Sequence, residues 1–95
     1  MPTIFKLMKY RFYFWSNEGV PVEPVHIHFS EGNPSANAPK IWLLKSGDVE
    51  IDEHDLANIN KSDLGKILAA VRDNRQLVMD EWFERFGELR YKDEN

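Results

Sequence analysis

The chain contains no cysteine. Disulfides, thiolate nucleophiles and Cys-ligated zinc are therefore excluded. No apolar run is long enough to span a bilayer, and no charged-then-apolar leader opens the sequence. The expectation is a cytoplasmic protein with no membrane contact. A basic excess is also lacking. The formal net charge is −4, which argues against a general nucleic-acid binder. There is no glycine-rich phosphate loop and no nucleophile elbow. Histidine is scarce, with three residues, and two of them, His26 and His28, flank a single isoleucine.

What is present suits one globular domain. A chain of 95 residues supports one modest core and hides roughly 60–70% of its unfolded surface. Apolar residues at 42% and charged residues at 29% give the balance of a folded protein rather than a disordered one. Aromatics crowd the start: Phe5, Tyr10, Phe12, Tyr13, Phe14 and Trp15 fall within fifteen residues. Charge is uneven. Lys6, Lys9 and Arg11 precede any acid, whereas Asp48, Glu50, Asp52, Glu53 and Asp55 form an acidic knot. These are either two solvated patches or a dipole that selects a partner.

The first half reads as strands. TIFKLM (residues 3–8) and YRFYFWS (10–16) are β-prone, with a hairpin turn at Met8 and Lys9. Tyr10, Phe12 and Phe14 share one face of the second strand; Arg11, Tyr13 and Trp15 share the other. NEGVPVEP (17–24) breaks regular structure. VHIHF (25–29) is a third strand, with Val25, Ile27 and Phe29 facing one way and the histidines the other. SEGNPSANAP (30–39) is a polar loop. KIWLLK (40–45) is a fourth strand, SGD a turn, and VEID (49–52) a fifth strand with Val49 and Ile51 inward.

The last third changes period. Leu64, Leu68, Val71, Arg75, Val78, Trp82 and Phe86 recur every three or four residues, with Ile67 and Met79 broadening the stripe. Asn60 or Ser62 can cap the start, Asp63 suits the first turn, and Gly87 suits the stop. The polar RDN at 72–74 offers a break, but the stripe stays in phase across it. The expectation is an α+β domain: an antiparallel sheet of four to five strands over residues 1–52, a connection at 53–61, one long or kinked helix at 62–88, and a tail at 89–95.

MPTIFKLMKYRFYFWSNEG, EPVHIHFSEG and KIWL, followed by a helix carrying NR and WFERF, together resemble the small bacterial family called domain of unknown function 4160. The matching positions are Met1 to Ile4, Ser16 to Glu18, Pro24, His26 to His28, Lys40 to Leu43, and Trp82 to Phe86. The sequence departs from the family pattern at Val25, where a second proline is commoner, at Arg85, where tyrosine is common, and in a longer loop between Gly19 and Pro24. The family has no agreed activity. The resemblance implies a neighbour: members are often encoded beside domain of unknown function 2442, a pairing like that of a toxin and its antitoxin.

His26 and His28 sit two residues apart on a strand, so both imidazoles share one face. Three uses are open: surface hydrogen bonding to Asn17, Glu18 or a helix residue, contact with phosphate or RNA with acid/base potential, or metal ligation. Glu18 is the candidate general base or third ligand, and His54 a remote fourth. No metal and no cofactor is expected, because the strand supplies two ligands and no third lies at a fixed offset. The histidines are expected to be partly exposed, in an anion-friendly patch on the face away from the core. Arg75 falls in the apolar stripe, where it needs a partner: Glu18, or an anion beside the histidines. Lys6, Lys9 and Arg11 can meet RNA phosphate, with Tyr13 and Trp15 as stacking faces. Phe83 lies off the stripe and, with an aromatic strand edge over 10–15, marks a contact surface. Two functions follow. One is a small intracellular interaction module that binds a second small protein or itself, as half of a toxin–antitoxin-like pair. The alternative is a phosphodiester or RNA hydrolase that uses the histidine face with Glu18.

Overall fold

The computed structural model describes residues 3–15, 23–33, 38–52 and 59–94. Five strands run β1 (Thr3–Leu7), β2 (Tyr10–Tyr13), β3 (His26–Glu31), β4 (Lys40–Leu43) and β5 (Val49–Asp52). They pair antiparallel in chain order, so the sheet is a meander with β1 and β5 at its edges. The first hairpin closes through Met8 and Lys9, with Met8 at φ 54°. That left-handed angle costs a side chain roughly 1–2 kcal/mol, which the pairing of Leu7 with Tyr10 and of Phe5 with Phe12 offsets.

Alternation gives the sheet one apolar face. Phe5 stacks on Phe12 at 4.3 Å, and Phe12 lies 5.8 Å from its β3 partner Phe29. Ile27, Ile41 and Ile51 form a row across β3, β4 and β5. Phe12, Ile27, Ile41 and Leu43 are fully buried.

The expected C-terminal helix is present as two pieces, α1 (Lys61–Asp73) and α2 (Arg75–Phe86), separated by Asn74 alone. The hydrogen-bond ladder continues through the break: Asn74 donates its amide to Ala70 O and accepts from Val78 N–H, each at 3.0 Å. The Asn74 side chain donates to the same Ala70 carbonyl at 2.8 Å. A side-chain amide that returns to the preceding turn competes with the ladder and bends it. The helix is interrupted there, with Asn74 at φ −101° and ψ 18°.

The helix ends follow the sequence. Asn60 Oδ1 accepts from Ser62 N–H at 2.9 Å and from the Ser62 hydroxyl at 2.8 Å. Gly87, at φ 79°, stops α2 and donates to Phe83 O. Asp63, in the first turn of α1, accepts the Tyr10 hydroxyl at 3.0 Å and so holds the helix to β2. Burial first, and then this carboxylate, push the Tyr10 phenol above its ordinary pKa. Ile67, Val71, Val78 and Trp82 are the fully buried helical residues.

The expected tail is tied down. Arg90 O accepts the Val25 amide at 2.8 Å, and Lys92 pairs with Glu50. The Asp93 carboxylate accepts the amides of Lys45 at 2.7 Å and Ser46 at 3.4 Å, on the β4–β5 turn. Most of the expected connection, residues 53–58, lies outside the described residues.

Two outcomes follow. Trp82→Ala should lower stability by about 3–5 kcal/mol and Asn60→Ala by about 1 kcal/mol. Urea unfolding should show both as shifted midpoints with unchanged slope. The Lys45 amide, as the main cause, holds the Asp93 pKa below its usual 3.8. A depressed carboxylate contributes stability above its unfolded value and loses that contribution as pH falls through its folded value. The amides of Lys45 and Ser46 should therefore shift in NMR spectra on acidification below about pH 3.8, and Asp93→Asn should abolish that titration.

Candidate functional site

β3 sets the histidine pair between β2 and β4. His28 lies opposite Tyr13 on one side and Lys40 on the other, and His26 lies opposite Trp42. The two rings share a face, 5.4 Å apart, and Ile27 points the other way into the core. The shared face is as the two-residue period predicts.

The exposure is not. His26 is 0% and His28 2% accessible, where partly exposed rings in an anion-friendly patch are the expectation. The neighbours give the reason. Tyr13 stacks on His28 at 5.7 Å. His26 lies between two indoles, Trp42 at 4.8 Å and Trp82 of α2 at 5.1 Å. A helix residue thus reaches a ring on the opposite face from Ile27. Each imidazole is also bonded to backbone. His26 Nδ1 lies 2.8 Å from Pro24 O, and His28 Nδ1 3.2 Å from Ala38 O. A carbonyl only accepts, so each ring must carry its proton on Nδ1. The same arrangement orients histidines in metal centres. Among the described residues, however, no group of three His, Asp or Glu side chains could hold a metal. Glu18, the candidate base, Asn17 and His54 lie outside the described residues.

Among the other expected site residues, Tyr13 meets His28, and Arg11 lies two residues before it on β2, on the same face. Arg11 is half-buried, opposite Lys6 in β1 and Ser30 in β3. Tyr13 is fully buried and offers no face to a nucleobase; Trp15 is half-buried just past β2. Arg75 reaches the β4–β5 turn instead. Its guanidinium donates to Leu44 O and, at 3.5 Å, to Asp48 O, and it lies 5.8 Å from the Tyr91 ring. Two backbone carbonyls thus accept from it, and Glu18, its expected ion-pair partner, lies outside the described residues. The aromatic strand is not an edge either. β2 lies inside the sheet with Tyr10, Phe12, Tyr13 and Phe14 buried, and β1 is the edge.

Phe83 is exposed, at 57%. It sits in a shallow groove with Gln76, Met79, Asp80, Glu84 and, past the helix, Leu89. Gln76 donates to Asp80 across one turn at 2.8 Å. Residues 76, 79, 80, 83 and 84 form one helical stripe. The sequence reading passed over this second stripe, because the inner stripe ending at Trp82 and Phe86 accounted for most of the apolar residues. Its signal was Phe83 standing four residues after Met79. Among the described residues, no helix is long and apolar enough to cross a membrane.

Long-range nitrogen–proton NMR spectra at neutral pH should show both His26 and His28 in the Nδ1–H form. An Nε2–H tautomer for His26 would contradict the bond to Pro24.

Comparison with known proteins places this arrangement. No curated protein and no solved structure matches the chain. One family model, described as a domain of unknown function (DUF4160), matches residues 10–83. That span takes in β2 to β5, the histidine pair, α1 and α2 as far as Phe83. It is well over half of the sequence, and the chain belongs to the DUF4160 family.

Proposed function

We propose that this chain is a small intracellular protein-interaction module that binds a second small protein, as one half of a toxin–antitoxin-like pair. The carrying observation is Phe83, a phenylalanine left 57% exposed on a helix whose other face is packed. Covering a large apolar side chain is worth roughly 1.5–3 kcal/mol, and a partner surface would supply that cover. The hydrolase alternative draws less support. A reaction at His26 or His28 requires a substrate to reach rings that are 0% and 2% accessible.

Co-expression with the protein encoded beside it tests the proposal. The two should co-purify in a fixed ratio by light scattering, and any growth defect from expressing this chain alone should be relieved by its neighbour. A clean monomer at high concentration, with no protein recovered beside it, would count against the module. RNA turnover that disappears in His28→Gln, with thermal unfolding unchanged, would establish the hydrolase.

A further inference from the structure

We infer that the groove on the outer face of α2 receives a cationic amphipathic helix: apolar side chains seated on Phe83, with lysines or arginines over Asp80 and Glu84. This names the partner chemistry of the interaction module and rests on that reading.

The apolar floor comes first. Met79 and Phe83 lie one turn apart, and Leu89 flanks them after Gly87 has turned the chain. The stripe from Gln76 to Glu84 is about 12 Å long at 1.5 Å per residue. That is two turns, the repeat over which a docking helix presents anchors at i, i+3 or i+4, and i+7.

Charge then selects the occupant. Asp80 and Glu84 line the groove, and Glu81 is exposed beside them. Asp80 accepts from Gln76. The ion pairs formed elsewhere, Lys9–Glu31, Lys40–Glu23, Arg72–Asp48, Arg90–Glu88 and Lys92–Glu50, use none of these acids. Among the described residues, the groove's carboxylates have no cation. A second copy docked by the same face would bring one acidic groove, with Asp80 and Glu84, onto another, since a two-fold contact joins like patches. A nucleic-acid backbone or an anionic lipid surface would meet the same repulsion. A partner with basic residues flanking apolar anchors meets attraction at the rim and burial at the floor.

The test uses the whole chain and three probes. The first is an eighteen-residue amphipathic peptide of leucine and lysine. The second is its leucine–glutamate counterpart, and the third a single-stranded oligonucleotide. The lysine peptide should shift the amides of residues 76–84 and of Leu89 in NMR spectra, and the other two should not. Phe83→Ser should weaken its binding by roughly tenfold or more while leaving thermal unfolding in place, as expected of a central apolar anchor. Asp80→Asn/Glu84→Gln should weaken it several-fold at low salt, with the difference fading near 1 M salt, where screening is short-ranged. Four results would each overturn the assignment: absent binding, shifts elsewhere on the surface, groove binding by the glutamate peptide or the oligonucleotide, or unchanged affinity in Phe83→Ser. A co-purifying protein that still binds Phe83→Ser would leave the module standing and remove this groove from it. Binding of the lysine peptide as described, with no co-purifying protein, would keep the groove and remove the module.

Discussion

The architecture depends on where Trp82 puts its indole. The ring meets Phe14 edge-on at 5.2 Å, Phe86 at 4.2 Å and His26 at 5.1 Å, and it is fully buried. Phe14 belongs to the apolar set of the aromatic strand, whereas His26 belongs to the opposite face. One side chain from a helix therefore joins both sides of the sheet at its end. A buried aromatic of this size carries several kcal/mol of the protein's stability. The tail then closes beside it, through Arg90 on Val25 and Lys92 on Glu50.

This packing decides what the chemistry-bearing residues do. Between two indoles, and bonded to Pro24 O, the His26 ring is a packed aromatic with one fixed donor. His28 repeats the pattern with Tyr13 and Ala38. Arg75 secures a turn. Phe83, Asp80 and Glu84 remain exposed on α2.

Much of the fold was legible in the sequence, because it rests on period and punctuation. Alternation in VHIHF and VEID located strands, the three-and-four spacing from Leu64 located the helices, and Asn60 and Gly87 marked their ends. Burial of the histidines was not legible. A two-residue period says which side chains share a face, not whether another residue covers that face, and Trp82 lies 54 positions beyond His28. The contacts of Arg75 with the β4–β5 turn were not legible for a related reason. Its acceptors are the carbonyls of Leu44 and Asp48, and a carbonyl leaves no mark in an amino-acid sequence. The Asp93 contacts were hidden in the same way, since its partners are the backbone amides of Lys45 and Ser46, whereas the Lys92–Glu50 pair was hidden only by its distance along the chain.

The strand order has a consequence for how the sheet meets other chains. Each strand pairs with its neighbour in sequence, so the sheet's edges are left at the two ends of the meander, and β1 offers one of them to a second sheet. Two features of β1 oppose that encounter. The register shifts by one residue between Thr3 and Phe5. Lys6 stands exposed on the edge, directly across from Arg11. An irregular edge with a charge at its centre is a poor template for pairing. The cross-strand repulsion of Lys6 and Arg11 costs stability within the sheet and guards its edge against a second chain.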